Sequence, residues 1–325
     1  MSYAGQLQAA SRFLEAADDV LVVSHVQPDG DAASSTFAIG LLLKHLGKSY
    51  TLINEGSIPG KFDFMPGFTQ VVHFKDQKPE RLFHHVVAVD CADFGRIGQV
   101  SSLFAADVQL LNIDHHPTND GFGAVNVIKA DAASTTEIIF DLCVEMGLRP
   151  QGDLAVCLYT GLLTDTGGFR YANTSPKVLQ IAADLVSTGV KGHVLAEKLL
   201  EKMTLPQVEL LRRGLATLSF AHEGRISWVS ASLQDREDTG ASNEDFEGLV
   251  NYPRNIEGVE VGLMFKQTDT ATYKVSFRSA GQVDVAAIAQ QFGGGGHIRA
   301  AGCTVEGQLD EVVERIVLEV GRALG

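Results

Sequence analysis

Leu7, Ala10, Phe13 and Leu14 fall at helical spacing within residues 5–17, which predicts a short amphipathic helix at the start of the chain. The period then changes. Val20 to Ser24 is a continuous, β-rich apolar run bounded by Asp19 and His25, the pattern of a strand buried on both faces. Residues 32–46 (AASSTFAIGLLLKHL) return to a helical pattern that Gly47 ends. Tyr50 to Asn54, Val86 to Asp90 and Val108 to Asp114 read as further strands, and helices are expected at about 133–146, 152–164 and 176–187. Strands alternating with helices predict an α/β domain on a mostly parallel sheet covered on both faces.

Beyond residue 190 the rhythm differs. Two helices with a break near Pro206 are expected over 190–218, followed by strands at Ile226 to Ala231, Val259 to Lys266 and Thr272 to Arg278. A helix at 284–291, a glycine run, a strand near Cys303 to Val305 and a last helix at 310–322 complete a smaller α/β domain. The expected division is 1–190 for the first domain, 191–210 for a helical connector and 211–325 for the second, with an active site in the cleft between the two domains.

At 325 residues the chain is long for one core and comfortable for two. Its net charge of −14 disfavours a protein that coats long nucleic acids, which needs an extended basic surface. It leaves open a small anionic substrate in a local pocket. Cys91, Cys143, Cys157 and Cys303 form no C-x-x-C pair and read as reduced thiols of a cytoplasmic protein. No signal-peptide pattern precedes Glu15, Asp18 and Asp19, and the longest apolar runs are too short to span a bilayer, so no membrane partner is expected.

Four polar clusters close apolar segments of the first domain: His25, Asp29 and Asp31 in SHVQPDGDA; Asp90 in VVAVD; Asp114, His115 and His116 in LLNIDHH; and Asp165 in YTGLLTDTGGF. Loops at the carboxyl ends of parallel strands converge on one crevice, and the first three clusters follow strands; Asp165 would arrive from the end of a helix. Each has an ordinary reading by itself: a β-turn at Pro28 to Asp31, a loop or cap residue at Asp90, loop polarity at His115 and His116, a helix end at Asp165. An EF-hand loop from Asp29 is excluded by Gly40 where a Glu is required. Together the clusters offer imidazole and carboxylate donors without thiolates, which suits Mn2+, Fe2+ or Zn2+ rather than a structural zinc. The donors are numerous enough for two ions that share a carboxylate, activate a water and stabilise both oxygens of a phosphoryl displacement.

The H-x-x-P-D-G-D-A motif at 25–32 and the DHH run at 114–116 resemble the DHH phosphoesterase superfamily, and GGGGHIRAAG at 293–302 resembles the associated DHHA1 domain. The resemblance spans nearly the whole chain and is similar to the subgroup of nano-RNases (oligoribonucleases) and pAp phosphatases, phosphoric ester hydrolases that degrade very short oligoribonucleotides and remove the 3′-phosphate of 3′-phosphoadenosine-5′-phosphate. It implies two divalent ions, Mn2+ in the first instance. His25 and Asp29 would hold one with Asp90; Asp31 would hold the other with His115 and Asp165; Asp90 would bridge them. His116 would face the substrate phosphate, and Asp114 would orient a ligand histidine.

In the second domain the glycines Gly293 to Gly296, with Gly294, Gly295 and Gly296 nearest the motif's His297, could bring backbone N–H groups close to an anion, or could form a flexible turn. Arg278 in VSFRS is a candidate bidentate phosphate ligand. Arg254, Arg299 and Arg96 are weaker candidates, each with an ordinary surface role as its alternative. The expected partners are short RNA oligonucleotides and nucleotide bisphosphates, not long duplexes, and a homodimer is compatible with the chain. Alternatives are a RecJ-like single-strand exonuclease, which usually carries an additional domain; a cyclic or linear dinucleotide phosphodiesterase; a pyrophosphatase or polyphosphatase, whose relatives carry a different second domain; a calcineurin-like enzyme, for which no G-N-H segment is found; and a nucleotide-binding sensor without turnover.

Overall fold

Ser2, whose hydroxyl accepts from the Gly5 amide, caps the opening helix α1 (Tyr3–Ala16) in the computed structural model, which describes all 325 residues. Then come β1 (Val20–Val23), α2 (Gly30–His45), β2 (Tyr50–Asn54), β3 (Val71–His73), β4 (Phe83–Val89), β5 (Phe104–Asp114), β6 (Val125–Ile128), α3 (Thr135–Glu145), α4 (Gly152–Asp165) and α5 (Pro176–Ser187). A short α6 (Gly192–Ala196) runs into a π-helical turn, and the first compact unit, Met1–Lys202, ends there.

The sheet of this unit has the order β3-β2-β1-β4-β5-β6, and every pairing in it is parallel. Expected strands are present and two short ones are added, β3 and β6. β4 and β5 each begin three or four residues earlier than their apolar runs indicate, because Phe83 and Phe104 pair in register at their starts. Along β1, Val20 and Val22 point into the core under α1, α2, α3 and α4, whereas Leu21 and Val23 point to the other face with Val86, Ala88 and Ile97. That second face is covered by the 3₁₀ segment Phe94–Leu103 rather than by an α-helix. α2 is buried along nearly its whole length, as its apolar composition all round requires. The chain moves outward from β1 to β2 and β3 and returns to place β4 on the other side of β1. The loops leaving β1 and β4 therefore diverge, which opens a crevice at their carboxyl ends.

The second unit, Met203–Gly325, contains α7 (Leu205–Ala216), β7 (Ser219–Ala221), β8 (Ile226–Ala231), α8 (Leu233–Thr239), α9 (Asn251–Arg254), β9 (Val261–Asp269), β10 (Thr272–Ser279), α10 (Val285–Gln291), β11 (Gly295–His297), β12 (Ala300–Glu306) and α11 (Leu309–Leu324). Its sheet, β11-β12-β10-β9-β8-β7, is antiparallel except for the parallel pair β8 and β9. α10 and α11 cover one face through Val285, Ile288, Val312, Ile316 and Val320. On the other face a smaller cluster, with Leu210, Leu249 and Met264, covers β8 and β9. The break expected near Pro206 lies just before α7, where Thr204 caps the helix and the proline occupies its first turn.

Candidate metal centre

The exit of β1 is fixed by Asn54 at the end of β2. Its side-chain oxygen accepts from the Ser24 amide at 3.2 Å and hydroxyl at 3.1 Å, and its Nδ2 donates to the His25 carbonyl at 3.0 Å. Asp29 is the N-cap of α2: Oδ1 accepts from the amides of Asp31 and Ala32, each at 3.1 Å, which leaves Oδ2 for another partner. Asp31 lies in the first turn of that helix and is buried. Asp90 follows β4 directly and has φ 58°, a left-handed conformation that strains a residue with a side chain and is concentrated at functional sites. Asp114 ends β5, His115 and His116 follow it, and Asp165 is the last residue of α4.

These elements bring the predicted ligands together. Nε2 of His25 is 3.7 Å from Oδ2 of Asp90, and Nε2 of His115 is 3.5 Å from both Oδ1 of Asp90 and Oδ2 of Asp165. Donor atoms of His25, Asp29 and Asp90 lie within 4.8 Å of one another, as do those of Asp31, Asp90 and His115. Asp90 is common to both groups, the arrangement of a carboxylate shared by two ions, and it also lies within the same distance of donor atoms of Asp114 and His116. No lysine or arginine lies within ion-pair distance of Asp29, Asp31, Asp90 or Asp165, and Nδ1 of His25 is buried without a hydrogen-bond partner. Two buried carboxylates, Asp31 and Asp90, crowded with the more open Asp29 and Asp165 and an orphaned imidazole nitrogen, with no cationic side chain paired to them, fit divalent cations.

The electrostatics carry the same signature. Burial, and then the charges of Asp31 and Asp29, hold Asp90 and Asp165 well above the usual carboxylate range. Asp31 is raised by burial and by Asp29. Burial takes His25 down to about 4, with Arg96 and His116 adding to the effect against Asp29 and Asp114. Asp29 is the exception: burial raises it, but His25, the Ala32 amide and Arg96 outweigh that and bring it below its ordinary value. Arg96, at the start of the 3₁₀ segment after β4, thus acts electrostatically on the first ligand group, and its carbonyl accepts from the Val26 amide at 2.9 Å.

One expectation is corrected. Asp114 does not orient a metal-facing histidine through His115. Its Oδ1 is 2.8 Å from Nδ1 of His116, its Oδ2 accepts from Asn119 at 2.6 Å, and Nδ1 of His115 faces the Ala132 carbonyl at 3.3 Å. The two rings meet edge to face with their centroids 4.7 Å apart. Sequence reasoning also missed the N-terminus of α3. The amides of Thr135 and Thr136 donate to the two oxygens of Asp31 at 2.6 and 3.1 Å, the Thr136 hydroxyl adds a third bond at 2.9 Å, and the Thr135 hydroxyl donates to Asp90 at 3.0 Å.

Residues 19–162 match the model of the DHH family, N-terminal domain, and residues 226–322 match the DHHA1 domain. The bifunctional oligoribonuclease and PAP phosphatase NrnA of Thermus thermophilus is 35% identical over 309 residues, 94% of this chain and 90% of that protein. The chain belongs to the DHH/DHHA1 family. An exopolyphosphatase-related protein from Bacteroides fragilis superimposes on this DHH/DHHA1 protein with a TM-score of 0.90 at 26% identity, covering 98% of this chain and 96% of the other. RecJ of Thermus thermophilus, solved with Mn2+, shares the fold at a TM-score of 0.56 and 14% identity, with 97% of this chain matched to 54% of RecJ.

In the DHHA1 domain the glycine motif is not a flexible turn. Gly295 to His297 form β11 and pair with Gly302, Ala301 and Ala300 of β12 in a tight hairpin. Gly296 has φ +142°, and a Cβ there would stand 2.5 Å from the Ala300 carbonyl oxygen; Gly294 is equally confined by the Gly302 carbonyl, whereas Gly295 has open space. Arg278 is the penultimate residue of β10, directly opposite Gly262 of β9. Arg254, at the end of α9, packs over Gly262, so the two arginines share one end of the sheet. Arg299 lies in the hairpin turn, where its carbonyl accepts from the Ser279 amide. All four cysteines are buried and unpaired, and no helix is long and apolar enough to cross a membrane.

Proposed function

We propose that this chain is a two-metal phosphoesterase that hydrolyses short oligoribonucleotides and removes the 3′-phosphate of 3′-phosphoadenosine-5′-phosphate. The observation that carries the reading is the pair of ligand groups sharing Asp90, set at the switch point of a parallel sheet. The activity named for the Thermus thermophilus relative supplies the substrate class.

In this reading His25, Asp29 and Asp90 hold one divalent ion, and Asp31, His115, Asp165 and Asp90 hold the second, with Mn2+ the first choice for so mixed a set of nitrogen and oxygen donors. Divalent ions in such a cradle acidify water and neutralise phosphoryl charge. The protein's own groups do the rest. Thr135 and Thr136 fix the rotamers of Asp90 and Asp31, so that the donors are set before any ligand arrives. Asp114 accepts a hydrogen bond from Nδ1 of His116 and so orients the ring, which is placed to meet a phosphoryl oxygen or to pass a proton to the leaving alcohol. Arg278, Arg254, His297 and the amides beside Gly294, Gly295 and Gly296 are the nucleotide-binding groups assigned to the DHHA1 unit, and Arg96 screens negative charge at the first ion.

Product release from pAp, from a labelled RNA dinucleotide and from a long single strand, each with Mn2+ and with chelator, tests the reading. Metal-dependent cleavage confined to the small substrates is expected. Preference for the long strand would move the chain to the exonuclease branch, and no turnover of any substrate would favour a nucleotide sensor.

A further inference from the structure

The DHHA1 sheet has a face that no hydrophobic cluster of its own unit covers. Along β10, Tyr273, Val275 and Phe277 enter the core under α10 and α11, so Lys274, Ser276 and Arg278 point to the opposite side. The register places Thr304, Gly302 and Ala300 of β12 beside them, and Gly295 and His297 of β11 beyond. None of these residues belongs to the smaller cluster over β8 and β9. The result is a lane floored by glycine, alanine and hydroxyl side chains and edged by Arg278 and His297 at one end.

Its other end is cationic. Lys274 is directly opposite Lys266 of β9, and like charges at such cross-strand positions repel. Arg236 of α8 adds a third positive charge close enough to act on Lys266. Lys266 is half-buried, stacks its ammonium 4.0 Å from the centre of the Phe246 ring and donates to the neutral amide oxygen of Asn243 at 2.8 Å. It has no carboxylate within ion-pair distance. Burial, with Lys274 and Arg236 adding to it, brings Lys266 down to about 8. Acidic residues are near in sequence, Glu244, Asp245 and Glu247 around Phe246 and Asp235, Glu237 and Asp238 around Arg236, but Asp235 and Asp238 are engaged by Arg213 and Asp245 by Thr204 and Ser242. The only carboxylates in the lane's register are Glu306 and Asp269, which lie past Lys274, level with Thr272.

We propose that Lys274 and Lys266, with Arg236 behind them, form an anion subsite that holds a backbone phosphate of a short single-stranded RNA, one or more nucleotides away from the group bound near Arg278. Arg278 and Lys274 are four strand residues apart, about 13 Å, so a mononucleotide seated at the arginine end does not reach the lysines but an oligonucleotide does. The floor between them, Ser276, Gly302 and Thr304, carries only small side chains and so has little with which to select among bases. This subsite sets the preference for oligonucleotides over pAp, and it rests on the phosphoesterase reading above.

The test is the ratio of kcat/KM for an RNA trinucleotide or pentanucleotide to that for pAp, measured with Mn2+ in the wild type, K274Q, K266M and the double variant. K266M keeps the aliphatic stem on Phe246, and the melting temperature of each variant checks folding. Each substitution is expected to lower the ratio about tenfold, the loss of one charge-assisted contact, and to reduce the logarithmic salt slope of oligonucleotide binding by about 0.7. Binding of a labelled trinucleotide in chelator reads the lane without turnover and should weaken in step. An unchanged ratio, or an equal loss on both substrates, overturns the subsite. Wild-type protein that binds the trinucleotide in a lysine-dependent way but cleaves nothing would instead indict the catalytic reading and leave the subsite standing.

Discussion

Oδ1 of Asp114 lies 2.8 Å from Nδ1 of His116, and Asn119 holds the other oxygen at 2.6 Å, so this buried carboxylate is dedicated to a histidine that belongs to neither ligand group sharing Asp90 with His25 or His115. Burial alone would raise Asp114, yet its bonds from His116 and Asn119 bring it below the ordinary carboxylate value, which keeps it an acceptor at neutral pH. The pair therefore controls the tautomer and orientation of His116. Asp114→Asn should cut kcat by about 10–100-fold while the Mn2+ affinity measured by titration calorimetry changes little. A variant that lost metal affinity and activity in parallel would place Asp114 in metal binding instead.

The crowded carboxylates make the metal-free protein sensitive to pH in a direction that can be worked out. A carboxyl that holds its proton more tightly in the folded chain contributes stability that is complete below its unfolded value, near 4. That stability fades as pH rises through the raised folded value. Asp90 and Asp165 are groups of this kind. His25, lowered to about 4, works the other way: its contribution is present above about 6.5 and is lost as pH falls towards 4. Between about 6.5 and about 8 the carboxylate effect dominates; above that Lys266, lowered to about 8, adds a slope of the opposite sign. In chelator, the melting temperature should fall as pH is raised above about 6.5, read below the range in which Lys266 titrates. The increment added by Mn2+ should grow over the same interval, because the ion replaces protons. A flat profile in chelator would mean that these carboxylates ionise normally.

Gly161 is where α4 crosses the N-terminus of α3. A Cβ there would stand 2.4 Å from Oγ1 of Thr136 and 2.7 Å from Oδ1 of Asp31, both buried and bonded to each other. Gly161→Ala must push α3 away from the ligand it holds. The expected cost is about 1–3 kcal/mol of stability, together with weaker Mn2+ binding. Gly295→Ala, where the added methyl meets nothing, is the control and should leave the melting temperature unchanged. If both variants melt like the wild type, the close approach at Gly161 is not a constraint.

How much of this was legible in the sequence depended on how local the determinant is. His25, Asp29 and Asp31 interrupt apolar runs at a strand exit and a helix start, so both their chemistry and their place could be read. Asp90, Asp114 and His115 follow the same logic at β4 and β5. Thr135 and Thr136 could not be read in that way, because their partners Asp31 and Asp90 are 104 and 45 residues distant and meet them only through the sheet order. The available signal was the S-T-T-E run at 134–137, a helix start whose exposed amides needed an acceptor. β3 is only three residues long, too short to show a period, and β11 is made of glycines that are strand only because β12 folds back on them. The partner of Asp114 was misjudged because neighbouring histidines are indistinguishable until their rings are placed.

Glu137 completes that helix start and has no ligand role of its own. Oε2 accepts from the Ala133 amide at 2.8 Å, while Oε1 lies 3.1 Å from Nζ of Lys177 and 4.0 Å from that of Lys129. The segment it clamps carries the Ala132 carbonyl that meets Nδ1 of His115, and it leads directly into the amides that hold Asp31. Glu137→Gln keeps the shape but removes the charge that the two lysines answer. It should destabilise the protein by about 1–3 kcal/mol and weaken metal binding several-fold. Glu137→Ala should do both more severely, since the Ala133 amide then loses its acceptor. Calorimetric titration of Mn2+ alongside chemical denaturation separates the effects: a loss of stability with unchanged metal affinity would confine Glu137 to holding the fold, and the route from this carboxylate through Ala132 to His115 would be ruled out.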